Sequence, residues 1–211
     1  MLRVAQFFRV QPTSPDVHVI QAAADFIRRG LVVAYPTDTL YGLAVDPRDA
    51  DAVKRLYALK GRAETSALTL IAADMGQVRA AAEMTAAAEQ LAARWWPGPL
   101  TIVLGAAPAL AREVVAGGAT VGIRVPDHAV AIALARATGF AITATSANRS
   151  GTPPATSAAA LADALPDVDA IVDAGAVRGG APSTLVDASM LPLRLLRDGA
   201  IAWSKVLESL R

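Results

Sequence analysis

Short runs of apolar and β-branched residues alternate along this chain with Ala-rich stretches of helical periodicity. That alternation points to an α/β fold, because strands and helices must bury each other's apolar faces. The expected strands are 31–35, 68–72, 100–104, 120–125, 141–145, 170–172, 184–187 and 193–196. The expected helices are 15–29, 49–59, 75–82, 86–95, 129–138, 157–165 and 204–210. The last strands follow one another without helices between them, so the sheet is expected to be mixed. No repeat or linker divides the 211 residues, which suit one domain with a buried core. The expectation is a single twisted mixed β-sheet with flanking helices over residues 1–211.

Composition narrows the chemistry. The chain has no Cys, which excludes disulfides, a thiolate nucleophile, zinc fingers and iron–sulfur clusters. Its two His, His18 and His128, leave little for a histidine-based metal site, and no protein metal site is expected. Twenty basic residues stand against 19 acidic ones, so no global field draws in nucleic acid or membrane. Anion recognition must come from a local cluster. Arg3, Arg9 and prolines interrupt the first fifteen residues, which lack a signal-peptide core. No apolar run approaches the ~20 residues of a spanning helix. The expected location is the cytoplasm, with no membrane partner.

Several strands run into polar loops, where α/β sheets hold their ligands. Residues 31–35 meet Pro36, which should end the pairing, then Thr37, Asp38 and Thr39. An ordinary turn with Asp38 bonding its own backbone would explain that stretch alone. Lys60-Gly61-Arg62 closes a helix, with Gly61 as its C′ residue. Lys60 and Arg62 there either complement the helix dipole or clamp a polyphosphate, a point charge beside a planar fork. Trp95 and Trp96 before Pro97-Gly98-Pro99 read as core packing at a corner more readily than as a stacking platform. Alternation puts Thr120, Gly122 and Arg124 on one strand face and Val121, Ile123 and Val125 on the other. A charge in such a strand must reach solvent, a carboxylate or an anionic ligand, and the small Gly122 beside it favours the ligand. Ser146-Ala147-Asn148-Arg149-Ser150-Gly151 is a loop of the kind that binds phosphate through N–H groups and short side chains. No Walker loop or dinucleotide fingerprint occurs.

Seven motifs stand in order: Pro36-Thr37-Asp38-Thr39-Leu40-Tyr41-Gly42-Leu43, Lys60-Gly61-Arg62, Trp96-Pro97-Gly98-Pro99-Leu100-Thr101, Gly122-Ile123-Arg124-Val125-Pro126, Ser146-Ala147-Asn148, Pro182-Ser183-Thr184 and Leu196-Arg197-Asp198-Gly199. Together they resemble the YrdC-like threonylcarbamoyl-AMP synthase family from about residue 16 to 200. The resemblance implies a twisted α/β sheet with a positively charged concave face. It also implies a reaction in which L-threonine, bicarbonate and ATP give threonylcarbamoyl-AMP and pyrophosphate. A separate transferase complex then passes the threonylcarbamoyl group to tRNA. Residue by residue, it assigns Lys60 and Arg62 to the ATP phosphates, Ser146 and Asn148 to the nucleotide loop, and Arg197 to a further nucleotide contact. Arg124 is assigned to the threonine carboxylate or a phosphate, and Thr37 and Ser183 to the threonine side. Thr120 is a weaker candidate on Arg124's strand. Mg²⁺ is expected with ATP, held by phosphates and water.

Three departures adjoin the amino-acid pocket: Ala63 replaces a usual Pro, Ser66-Ala67-Leu68 replaces Asn-Pro-Leu, and Ile71 occupies a position that is His in some members. The expectation for these 211 residues is a single domain without the extra C-terminal domain of longer members. Less characterised paralogues usually have a degraded Ser-x-Asn loop, which is intact here. The alternatives are a non-catalytic module for tRNA or double-stranded RNA, against which the near-neutral charge speaks, and a carbamoyl-transfer module of hydrogenase maturation.

Overall fold

A computed structural model describes residues 5–63, 65–177 and 179–210. In chain order the elements are β1 (Gln6–Arg9), α1 (Val17–Arg28), β2 (Val33–Pro36), β3 (Tyr41–Ala44), α2 (Ala50–Lys60), β4 (Thr69–Ile71), α3 (Met75–Ala81), β5 (Ala82–Glu83), α4 (Ala86–Trp95), β6 (Leu100–Ala106), β7 (Thr120–Arg124), α5 (Ala129–Thr138), β8 (Ile142–Thr143), β9 (Thr145–Ser146), α6 (Ala158–Ala164), β10 (Ala170–Asp173), β11 (Thr184–Asp187), β12 (Arg194–Arg197) and α7 (Trp203–Glu208). Short polar side chains start the helices as expected of N-caps: Asp16, Asp49, Asp74, Thr85 and Ser157 each accept a first-turn N–H.

The mixed pairing is present, but it is divided between two sheets where the sequence suggested one. The smaller has the order β1-β10-β2-β3-β9, the larger β12-β11-β6-β7-β4-β8, with β5 pairing β6 at the side. The expected strand 141–145 is where the division shows. β8 pairs antiparallel with β4 in the large sheet, and β9 pairs antiparallel with β3 in the small one. Between them Ala144 donates its N–H to the Thr69 carbonyl at 2.7 Å and accepts from Thr69 Oγ1 at 2.5 Å. The chain thus crosses from one sheet to the other in a single residue and delivers Ser146 to the seam.

Pro36 does not end the pairing. It is the last residue of β2, opposite Tyr41, and β3 runs back antiparallel as a hairpin. All four β3 residues are buried, so the period-2 signal that marks a half-exposed strand is missing. β1 was not expected either.

A first core cluster joins Ala34 and Leu43 of the small sheet, and Val45 just after β3, to Ile102, Leu104, Val121 and Ile123 of the large one, with Val53, Leu56 and Leu91 from α2 and α4. A second packs α1 and α5 on the small sheet through Ile20, Ala23, Ala24 and Ile27 against Val130, Leu134, Val33 and Tyr35. Burying a Leu, Ile or Val side chain stabilises by roughly 1.5–3 kcal/mol, so these faces fix strand orientation. In β7 the expected alternation holds: Val121, Ile123 and Val125 enter the first cluster, leaving Gly122 and Arg124 on the opposite face.

Candidate functional site

That opposite face is the floor of a cavity of about 440 Å³. Thr69 of β4, Arg124 of β7, Thr101 of β6, Leu185 of β11 and Arg197 of β12 line it from successive strands. The register sets Leu185 opposite both Thr101 and Arg197, so these side chains rise from one row. Gly122 keeps the floor low. A Cβ there would lie 3.0 Å from the Thr69 methyl and 3.3 Å from the Thr101 methyl, so any larger residue would press on both threonines that line the cavity.

The wall comes from loops. The hairpin turn after β2 contributes Thr37, Thr39 and Leu40, the stretch after α2 contributes Arg62, and the sheet crossing contributes Thr145 and Ser146. Thr37, not Asp38, ties this turn. Its Oγ1 accepts from the N–H groups of Thr39 and Leu40 at 3.2 Å and donates to the Leu40 carbonyl at 2.6 Å. Asp38 reaches instead to Arg124, with Oδ1 2.9 Å and Oδ2 3.1 Å from Nη1. Arg124 therefore meets a carboxylate and lines the cavity at once. His128, the N-cap of α5, is part of the same charged neighbourhood: burial pushes its pKa down, while Asp38 and Asp127 pull it up.

On the β11–β12 side, Ser183 is buried and shares a hydrogen bond of 2.7 Å with Thr101 Oγ1. Arg197 donates to the Ser183 carbonyl from Nε at 3.1 Å and Nη2 at 2.9 Å, and to Ser183 Oγ at 3.0 Å. Gly199 permits this junction, because a Cβ would fall 2.6 Å from both Ser183 C and Thr184 N. Burial, and then the charge of Arg124, lower the Arg197 pKa. The two guanidiniums feel each other across the floor, a repulsion that a bound anion would relieve.

Lys60 and Asn148 do not line the cavity; they build the loop behind it. Lys60 is buried, and its Nζ donates to the Ser146 carbonyl, to the Asn148 carbonyl at 2.9 Å and to Asn148 Oδ1 at 3.4 Å. Its own carbonyl accepts from Ser150 N–H at 2.9 Å. Asn148 Oδ1 also takes the Ser146 hydroxyl at 2.5 Å, while Nδ2 donates to the Arg149 and Thr152 carbonyls. Burial first, and Arg62 second, bring the Lys60 pKa down to about 8. The αL turn at Gly61, φ 58°, ends α2 as expected and sends Arg62 into the cavity, where it lies 3.5 Å from Thr145 Oγ1.

Thr120 falls outside. It stands four residues before Arg124 on β7, opposite Gly105, and a strand rises about 3.3 Å per residue, so the shared face does not bring it to the cavity. Of the expected residues, Thr37, Arg62, Arg124, Ser146, Ser183 and Arg197 meet in one hollow. The sequence reading missed Thr69 and Thr101, each a hydroxyl on a cavity-facing position of an apolar strand, and Asp38 as the partner of Arg124. Trp95 and Trp96 pack against the first core cluster, and Trp96 Nε1 donates to the Leu100 carbonyl at 2.7 Å. Among the described residues, no group of three or more His, Asp or Glu is arranged to hold a metal ion.

Fold and site together define a class: a mixed α/β protein whose open sheet face, fringed by hydroxyls, gathers three arginines at the seam of two sheets. The chain belongs to the Sua5–YciO–YrdC family, whose model carries the description "Telomere recombination" and matches residues 25–199. It is 40% identical over 189 residues to the threonylcarbamoyl-AMP synthase of Pyrococcus abyssi, covering 89% of this chain, and 41% identical over 198 residues to that of Bacillus subtilis, covering 90%. The match spans only 56% of the length of each of these relatives. The crystal structure of P. abyssi Sua5 complexed with L-threonine superposes with a TM-score of 0.91 at 37% identity, over 96% of this chain and 60% of that one.

Proposed function

We propose that this chain is an L-threonylcarbamoyladenylate synthase, forming threonylcarbamoyl-AMP and pyrophosphate from L-threonine, bicarbonate and ATP. The observation that carries the reading is the meeting of Arg62, Arg124, Arg197, Ser146, Ser183 and Thr37, from distant sequence motifs, in one cavity. The names of the relatives and the threonine bound to P. abyssi Sua5 support it.

The threonine amine condenses with bicarbonate to a carbamate, releasing water. A carbamate oxygen forms a bond to the α-phosphorus, and the bond to the bridging oxygen breaks as pyrophosphate leaves with the electron pair. Negative charge grows on the phosphoryl oxygens and the leaving group, so fixed cations and alignment do most of the work. Arg62 and Arg197 would meet the triphosphate, Arg124 the threonine carboxylate or a phosphate, and Thr37 and Ser183 the amino acid. Lys60 and Asn148 would hold the loop that presents Ser146. A Mg²⁺ arriving with ATP would neutralise phosphate charge, held by phosphate oxygens and water. The product would pass to a threonylcarbamoyl transferase complex that modifies tRNA in the cytoplasm. Among the described residues, no helix is long and apolar enough to cross a membrane.

The test is pyrophosphate release from ATP across a panel of amino acids, with and without bicarbonate. Release that requires both threonine and bicarbonate is expected. Release with neither, or none at all, overturns the reading.

A further inference from the structure

We propose that Asp38 is a positioning residue that holds Arg124 in its working geometry and pins the hairpin turn over the cavity floor. Asp38 stands on the turn of the small sheet and Arg124 at the end of β7 in the large sheet. Their ion pair spans the seam at 2.9 Å, with side chains only 13% and 9% exposed. The turn does not need Asp38 for its own backbone, because Thr37 Oγ1 already bonds the two N–H groups there. That frees the carboxylate for its long-range partner. The hydrogen bond runs to Oδ2, while Oδ1 is buried with no hydrogen-bond partner of its own. A buried acceptor left in that state is costly, and the Arg124 guanidinium 2.9 Å away offsets that cost by its charge.

The physical consequence is a fixed fork. A buried guanidinium without a counter-charge must move toward solvent or recruit water, and Arg124 would then leave the floor. With Asp38 in place, one terminal nitrogen is anchored to the wall while the side chain still lines the cavity. Asp38 acts through Arg124 rather than by touching the ligand.

The experiment is a double-mutant cycle with Asp38→Asn, Arg124→Ala and the double variant, checked for fold by circular dichroism and melting. Asp38→Asn keeps the shape and removes the charge; Asp38→Glu asks whether charge alone restores function. The cycle is read on kcat/KM for threonine-dependent pyrophosphate release and on calorimetric affinity for ATP and for L-threonine. Misplacement of a reacting or binding group by about 1 Å can cost ~100-fold, and a loss of that order is expected for Asp38→Asn. The double variant should be no worse than Arg124→Ala alone, because contacting residues that act as a unit are non-additive. Asp38→Glu should recover part of the loss. Additive losses, or an Asp38→Asn variant with wild-type kinetics and affinities, would overturn the proposal. The kinetic arm rests on the proposed reaction. A wild-type protein without turnover refutes that reaction alone, and the cycle on ATP and L-threonine affinity then decides the role of Asp38.

Discussion

The floor and the wall of the cavity are built by different physics. The floor side chains rise from paired strands, where backbone register places Thr101, Leu185 and Arg197 in one row and a sheet with a buried lower face cannot slip by one residue. The wall is made of loops shaped by side chains bonding backbone: Thr37 within its turn, Lys60 and Asn148 around Ser146. Away from the Asp38–Arg124 pair that joins them, the floor should therefore tolerate the loss of a hydrogen bond but not a change of volume, and the wall the reverse.

The largest effect is expected at the β11–β12 end of the floor. Gly199→Ala forces a methyl into the Ser183 backbone. Overpacking of this kind costs about 1–3 kcal/mol, and turnover should fall to background with a lowered melting temperature. Unchanged melting and turnover would mean that the β11–β12 junction is not rigid.

Next is Lys60→Met, which keeps the bulk and deletes the ammonium. Turnover should fall by ~100-fold while the melting temperature changes little, since loop and not core is lost. Its titration sharpens the contrast. The folded pKa of about 8 lies below the ordinary 10.5. Between those values the unfolded chain holds more protons at this site than the folded one. The Lys60 contribution to stability therefore rises with pH across that window. Loop function should move oppositely, because the ammonium loses a proton above pH 8. A kcat/KM limb near pH 8 that disappears in Lys60→Met is the expected signature. A limb that persists in the variant assigns it to another group.

Gly122→Ala probes the floor by volume alone. A Cβ there presses on Thr69 and Thr101, both of which line the cavity, so KM should increase about tenfold with kcat less affected, the pattern of lost uniform binding. A kcat defect with normal KM would place the strain on the reacting geometry instead. The smallest effect belongs to Thr120→Ala, outside the cavity, where kinetics should stay within about twofold of wild type, as for surface changes away from such features. A larger loss would return Thr120 to the site.

Legibility in the sequence follows the same divide. The alternation Thr120, Gly122, Arg124 against Val121, Ile123, Val125 named the cavity face of β7, because a period of two is a local property. Gly61 announced the end of α2 for an equally local reason. The hairpin strand β3 was invisible, since Tyr41, Gly42, Leu43 and Ala44 are all buried and show no alternation. Thr69 and Thr101 looked like ordinary strand residues; only the pairing of β4, β7 and β6 brings their methyls over Gly122. Asp38 was read as a residue of its own turn, and nothing within a few positions of it points to Arg124, 86 residues away.

By itself the sequence determined the α/β class, most helix and strand positions, the family resemblance and the residue types that gather around the cavity, because propensity, capping and periodicity act over a few residues. Tertiary structure alone decided that the strands form two sheets, that the chain changes sheet at Ala144, that Lys60 and Asn148 shape a loop while Arg62, Arg124 and Arg197 face the hollow, and that Thr120 stands apart. Those outcomes depend on pairing between segments tens of residues distant, and the free energy of such contacts is set by which faces meet, a quantity no local pattern contains.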